Sequence, residues 1–167
     1  RMSDLHVVSK VLPDPTDKRQ RVSPHILSEV HDCPQINICT IEGPLFFGSA
    51  QMFEKALREV VHPEAKILIL RLGKVPYIDT TGEANLSNIV KTFKASGGTV
   101  LVSALQTQPK SMLKKTGLYD EIGESNFYEH TGDAINYALK HINLDQCIGC
   151  KHYAFRECSR LSCINGQ

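Results

Sequence analysis

The chain has 167 residues, of which 41% are hydrophobic and 22% are charged, and its 19 Lys and Arg residues against 18 Asp and Glu residues give a net charge of +1. This balance is typical of a globular domain with one core, and it excludes a broad positive field for nucleic acid or anionic lipid as the main binding determinant. The longest apolar run, Ile67 to Leu70, is far shorter than the roughly 20 residues of a membrane-spanning helix.

The first 22 residues are polar and contain Pro13, Pro15 and the charged segment 17–21. We interpret residues 1–22 as a polar tether in which Leu5 to Val8 is the segment most suited to packing. The chain opens with Arg1 and Met2. Because arginine does not initiate translation, we expect either a piece of a longer protein or a chain with added residues at its start.

Beyond residue 22 the pattern becomes that of alternating strands and helices. The segments 25–30 and 35–41 are rich in β-branched residues and predict a hairpin or paired edge strands. Helical spacing of apolar residues predicts amphipathic helices, and short apolar runs predict buried strands. The predicted helices are 49–63, 80–96, 109–117 and 132–142, and the predicted strands between them are 66–71, 99–103 and 127–128. This order predicts an α/β fold whose mixed sheet has an antiparallel start followed by parallel strands.

The turn before the second predicted helix carries the residues most informative about function. Asp79 or Thr80 can cap the helix, and Thr80 with Glu83 three residues later fits a capping box. The same hydroxyl groups lie at a helix N-terminus, where free N–H groups and the helix dipole stabilise a phosphate. Gly82 would let the backbone of a partner approach closely. The turn is therefore either a structural cap or a contact site, and the contact site would consist of Asp79, Thr80, Thr81 and Gly82.

The run Val75 to Gly82, the helix that ends at Gly97-Gly98 and the strand from Thr99 to Val102 together resemble the STAS domain. Bacterial anti-sigma factor antagonists share this domain with the cytoplasmic tails of SulP-type anion transporters. The resemblance covers Ser23 to Leu144 and includes the family's L-x-x-x-G-L segment at Leu113 to Leu118. The segment Gly43-Pro44-Leu45-Phe46-Phe47 resembles the transporter branch of the family more than the stand-alone antagonists. The expected organisation is a tether at 1–22, a STAS-like domain at 23–144 and a cysteine-rich tail at 145–167.

The resemblance implies a regulatory or interaction domain without enzymatic turnover, located on the cytoplasmic face of the inner membrane as part of an integral membrane protein. The implied partners are the transmembrane part of the same transporter, a second copy of the domain as a homodimer, and a cytosolic protein. A nucleotide is a candidate ligand by the same resemblance, whereas no nucleic acid is expected. In the antagonists the hydroxyl residue after the motif aspartate is phosphorylated, and Thr80 occupies that position here.

Four of the six cysteines lie near the end of the chain: Cys147, Cys150, Cys158 and Cys163. A close pair followed by two further thiols can supply the ligands of a tetrahedral zinc site. Disulfide or redox pairing, an iron–sulfur cluster and packing without either are the alternatives. No cofactor is required for the interaction function, and a structural zinc ion in the tail is the candidate metal.

Two other functions stay open beside a SulP transporter domain. One is a stand-alone anti-sigma factor antagonist that works by phosphorylation-dependent partner switching. The other is a metal or redox sensor whose active element is the cysteine tail. A small basic face formed by Lys110, Lys114 and Lys115 is typical of a solvated surface, and contact with a phospholipid surface or an acidic partner is its alternative interpretation.

Overall fold

A computed structural model of the chain describes residues 6–9, 33, 35–45, 55 and 64–147. These residues form a five-stranded sheet in the order β1-β2-β3-β4-β5. The strands are β1 (His6–Ser9), β2 (Ile36–Glu42), β3 (Ile67–Lys74), β4 (Thr99–Ser103) and β5 (Phe127–Tyr128). The helices are α1 (Thr80–Ala95), α2 (Thr107–Thr116), α3 (Leu118–Ile122) and α4 (Thr131–Leu139), with short 3-10 helices at Glu124–Asn126 and Leu144–Gln146.

Strands β2, β3, β4 and β5 are parallel to one another, as the alternation of strands and helices predicts. Strand β1 runs antiparallel to β2 and pairs His6 with Glu42. The predicted antiparallel partner at 25–30 lies outside the described residues. Strand β1 lies instead within the segment predicted as a tether, so these four residues belong to the edge of the sheet.

The side chains of the sheet alternate between two buried layers, because successive residues of a strand point to opposite faces. One face packs against α1, α2 and α3 through residues such as Leu68, Leu70 and Leu86. The other packs against α4 through Ile69 and Ile135 among others. The central strand β3 is buried on both faces, which explains its continuous apolar run.

Several element boundaries differ from the predicted ones for local reasons. Helix α2 begins at Thr107, two residues before Pro109. Proline is tolerated there because the N–H groups of the first turn have no intrahelical acceptor. Gly117 ends α2 with φ at 90°, a left-handed conformation that glycine adopts without strain. Helix α3 was not predicted. The predicted helix at 49–63 lies outside the described residues except for the helical Lys55.

The two ends of the parallel sheet carry different parts of the chain. At the amino end of β2, the Gln35 side-chain amide donates to the Asn143 carbonyl oxygen at 3.1 Å and accepts from the Asn143 backbone N–H at 2.8 Å. These bonds fix the segment that follows α4 to this end. At the carboxyl end of β3, the chain enters the turn that leads to Asp79.

Candidate functional site

Asp79 is the N-cap of α1. Its backbone is extended, with φ at −95° and ψ at −178°, and its side-chain oxygen Oδ1 accepts a hydrogen bond from the Gly82 backbone N–H at 2.7 Å. The predicted capping box of Thr80 and Glu83 is wrong, because Thr80 is the first helical residue. The Glu83 carboxylate instead accepts a hydrogen bond from the Thr116 hydroxyl at 2.7 Å. This bond ties the first turn of α1 to the last residue of α2.

The backbone of the turn is held on one side by Leu45, which forms an isolated parallel bridge with Ile78. The Leu45 N–H donates to the Tyr77 carbonyl oxygen at 2.9 Å, and the Asp79 N–H donates to the Leu45 carbonyl oxygen at 2.9 Å. The turn therefore extends the sheet pairing beyond the end of β3. Leu45 and Ile78 are both fully buried.

On the other side the turn is held by Gln108 of α2. The Ile78 N–H donates to the Gln108 side-chain oxygen at 2.8 Å, and the Gln108 side-chain nitrogen donates to the Ile78 carbonyl oxygen at 3.0 Å. The amide thus replaces a neighbouring strand, since it satisfies both backbone groups that point away from Leu45. With partners on both sides, the turn is pre-organised before any partner protein binds.

Gly82 is buried, and the backbone that approaches it is that of Leu45. A Cβ atom at this position would lie 2.5 Å from the Leu45 carbonyl oxygen, far inside van der Waals contact. The expectation that Gly82 admits the backbone of a partner protein is therefore corrected: the chain fills this space itself. Gly82 supports the turn from behind and takes no part in its exposed surface.

The exposed surface of the turn consists of a few side chains. Tyr77 is 47% exposed and is a large hydrophobic residue at the rim. Thr80 is exposed, whereas Asp79 and Thr81 are half-buried. The Thr81 carbonyl oxygen accepts a hydrogen bond from the Asn85 side chain at 2.9 Å. The arrangement offers an aromatic ring, a hydroxyl group and a carboxylate on a fixed backbone, and the aromatic ring is the group typical of protein interfaces.

Sequence reasoning missed a polar cluster at the carboxyl end of the sheet, on the α4 side. The Arg71 guanidinium donates to the Thr40 hydroxyl at 3.1 Å and to the Thr131 hydroxyl at 3.3 Å. The Thr131 and Ser103 hydroxyl oxygens lie 2.8 Å apart. Burial lowers the pKa of Arg71, and the nearby Glu42 carboxylate acts in the opposite direction. The feature of the sequence that could have indicated this cluster is Arg71, the charged residue that follows the apolar run of β3. The cluster joins β2, β3 and β4 to α4.

The predicted metal ligands are only partly within the described residues. Cys147 is half-buried at the end of the described chain, while Cys150, Cys158 and Cys163 lie outside it. In the part of the chain that the structure describes, no group of three or more His, Cys, Asp or Glu side chains could hold a metal ion. The zinc site stays a prediction. Asn143 places the start of the tail at the amino end of β2, away from the Asp79 turn.

None of the helices within the described segments is both long and apolar enough to cross a bilayer.

Comparison with known proteins identifies relatives of this chain. The chain is 45% identical over 97 residues to YvdB of Bacillus subtilis (strain 168), which is named as a sulfate transporter, and the match covers 58% of this chain and 18% of that protein. A second curated relative is matched over 17% of its length, so the chain spans less than a fifth of either relative.

Two solved structures have the same fold. The SulP transporter STAS domain of Vibrio cholerae is 33% identical, has a TM-score of 0.52, and is matched over 64% of this chain and 80% of that one. A Thermotoga maritima protein named as an anti-sigma factor antagonist is 22% identical and has a TM-score of 0.53. The match covers 62% of this chain and 87% of that chain, and at this identity it supports a shared fold only. The STAS domain family model matches residues 28–134, which is more than half of the chain, and the protein therefore belongs to the STAS domain family.

Proposed function

We propose that this chain is the regulatory and interaction domain of a SulP-type anion transporter, on the cytoplasmic face of the inner membrane. It acts through protein contacts at the turn that carries Tyr77, Asp79, Thr80 and Thr81. The similarity to YvdB and to the Vibrio cholerae SulP domain supports the transporter branch. The transmembrane part of the same transporter is the proposed partner, with a second copy or a cytosolic protein as alternatives.

The observation that carries the proposal is the rigid turn between Leu45 and Gln108. The Tyr77 carbonyl group and both backbone groups of Ile78 and Asp79 are paired within the chain, so binding would not have to order them. A pre-organised backbone lowers the entropic cost of association. Tyrosine is enriched among the residues that dominate binding energy, and Tyr77 is presented at the rim with 47% of its surface exposed.

The contacts of the turn support binding rather than catalysis. The side chain that approaches the Ile78 backbone is the neutral amide of Gln108, which cannot act as a general base. Asp79 uses an oxygen to cap α1. A nucleophilic mechanism at Thr80 would need a positioned base to remove its proton. We therefore assign the turn to recognition.

Thr80 gives this site a route to regulation. A phosphate on its hydroxyl would add about −1.5 to −2 charge at neutral pH. Its position as the first residue of α1 favours a phosphate electrostatically, whereas the adjacent Asp79 carboxylate repels it. A partner that docks on the neutral turn would therefore meet a new charge at the centre of the interface.

The proposal is tested in the full-length transporter that carries this domain. A photo-crosslinking amino acid at position 80 should crosslink to the transmembrane part or to a second copy. The control is the same group at position 136, because Asn136 is exposed on α4. Tyr77→Ala should reduce the yield from position 80 about tenfold or more. Equal crosslinking from both positions, or none from position 80, would contradict the proposal.

A stand-alone antagonist is the second candidate, favoured by the exposed hydroxyl of Thr80 after the capping Asp79. It requires that a partner kinase phosphorylates Thr80 and that the phosphate releases a bound protein. Mass spectrometry of the chain from cells identifies the site. Phosphate at Thr80 together with a soluble, membrane-free parent protein would favour this candidate over the transporter domain.

A further inference from the structure

The outer face of α2 is basic and is not used by the turn. Thr107, Lys110, Ser111, Lys114, Lys115 and Thr116 are exposed. Pro109 and Leu113 are the buried residues of the helix. The exposed residues of α2 are thus three lysines and three hydroxyl residues, with no carboxylate, while the half-buried Met112 packs against the core.

Two acidic side chains on the neighbouring helices are engaged with other groups, whereas the exposed Asp120 of α3 forms no ion pair among the described residues. Glu83 accepts the hydrogen bond of Thr116, and Glu121 of α3 pairs with Lys94 at 3.0 Å. In the described part of the chain the ion pairs are Lys94–Glu121 and Lys74–Glu42. None of the three lysines of α2 therefore forms an ion pair with a carboxylate among the described residues.

Stability of the helix accounts for only part of this charge. Lys114 and Lys115 lie in the last turn of α2, where cations are favoured by the helix dipole. Lys110 lies one turn earlier, and like charges four residues apart destabilise a helix. The Lys110 and Lys114 nitrogens lie 5.9 Å and 5.0 Å from the centre of the same Tyr119 ring. The Tyr119 ring thus lies near both of these like-charged ammonium groups.

We propose that this basic face of α2, formed by Lys110, Lys114 and Lys115, docks on the anionic phospholipid surface of the membrane. A group of lysines without carboxylate partners among the described residues, two of them beside the Tyr119 ring, complements a plane of phosphate headgroups better than it complements a folded partner with an apolar patch. The choice of a membrane as the occupant rests on the proposed function, which places the domain beside the bilayer. Binding would be peripheral and electrostatic.

The experiment uses the chain itself with vesicles of phosphatidylcholine containing phosphatidylglycerol, and with vesicles of phosphatidylcholine alone. The chain should co-sediment with the anionic vesicles only, and raising the salt from about 0.05 M to about 0.5 M should release it. Lys110→Gln, Lys114→Gln and Lys115→Gln combined should weaken binding on the order of 100-fold, because each lysine near the surface contributes about fivefold.

The matched control is the combination Lys66→Gln, Lys91→Gln and Lys140→Gln, which removes the same charge from exposed lysines outside α2 and should retain binding. Absence of binding to anionic vesicles at low salt, or equal loss in both triple variants, would overturn the proposal. A preference for polyglutamate over vesicles would assign the face to an acidic protein instead. Circular dichroism of each variant establishes that it is folded. Because the vesicles contain no transporter, failure here leaves the crosslinking test of the proposed function intact.

Discussion

Gly82 and Leu45 lie in direct backbone contact. A Cβ atom at Gly82 would come within 2.5 Å of the Leu45 carbonyl oxygen and 2.8 Å of its carbonyl carbon. The neighbour is main chain, which cannot rotate away as a flexible side chain can. The first turn of α1 and the segment after β2 are therefore packed at a distance that only glycine permits.

Gly82→Ala should destabilise the domain by about 1–3 kcal/mol, because the methyl group overpacks this contact. The direction of the change in the free energy of unfolding is informative, since Gly→Ala within a helix otherwise stabilises by roughly 1 kcal/mol. Urea unfolding followed by circular dichroism measures the change. Asn88→Ala, at an exposed position of α1, is the control and should change stability by less than about 0.5 kcal/mol. A stabilised Gly82→Ala variant would refute the contact.

Gln108→Ala should loosen the turn, because the buried Ile78 loses the partners of both its N–H and its carbonyl group. Leaving such groups unsatisfied costs about 1–3 kcal/mol each in a buried site. Hydrogen exchange at the Ile78 amide should accelerate, and the global stability should fall. Gln106→Ala removes the exposed bond from Gln106 to the Gly73 carbonyl and should have a smaller effect. Unchanged exchange at Ile78 would show that Gln108 does not hold the turn.

Substitutions at the cap separate the two residues that the sequence offered for this role. Asp79→Ala should cost about 0.5–2 kcal/mol, as expected for loss of an N-cap side chain. Thr80→Ala should cost less than about 0.5 kcal/mol, because Thr80 is exposed and exposed substitutions have small effects. Thermal unfolding of both variants measures the difference. The reverse order would restore Thr80 as the cap.

The ion pair between α1 and α3 predicts a small acid-dependent loss of stability. The hydrogen bond and charge of Lys94 lower the pKa of Glu121 from its ordinary value of 4.5. A lowered pKa in the folded state means that the stabilisation is present above the unfolded value and is lost as the pH falls through the folded value. Glu121→Gln should therefore make stability less dependent on pH in the acid range. Parallel pH profiles for the two proteins would contradict this coupling.

The cysteine tail predicts bound zinc. Chain purified without oxygen and without chelator should contain close to stoichiometric zinc by elemental analysis, since four thiolates satisfy a tetrahedral site. Cys147→Ser should reduce the content strongly, whereas Cys39→Ala, at a buried position in the sheet, should not. Absence of zinc and iron in the unsubstituted chain, together with unreactive thiols, would remove the metal and sensor hypotheses.

Local periodicity was sufficient to predict the body of the fold. The run at 67–70 predicted a strand buried on both faces, and the apolar spacing after Asp79 predicted a helix at 80–96, which the structure places at Thr80–Ala95. The chemistry of the turn was also visible, because Asp and Thr before a helical pattern indicate a cap. These features depend on residues within one or two turns of each other.

The supports of the site depend on residues that are distant in sequence. The bonds of Gln108 to Ile78 span 30 residues and that of Arg71 to Thr131 spans 60. A polar side chain in an exposed-looking pattern gives no local indication of its partner. For the same reason, the spacing of residues in the sequence could not predict that the Leu45 backbone fills the space beside Gly82 and keeps a partner protein out of it. The choice of Asp79 over Thr80 depended on the backbone conformation of the turn.

The hydrogen bonds between Gln35 and Asn143 separate the segment after α4 from the Asp79 turn. They fix the segment that follows α4 at the amino end of β2, whereas Tyr77 and Thr80 follow the carboxyl end of β3, roughly 20 Å away along the strands. A partner bound at one end of the sheet would leave the surface at the other end accessible. Partners bound at the two ends of the sheet would therefore not compete for the same surface.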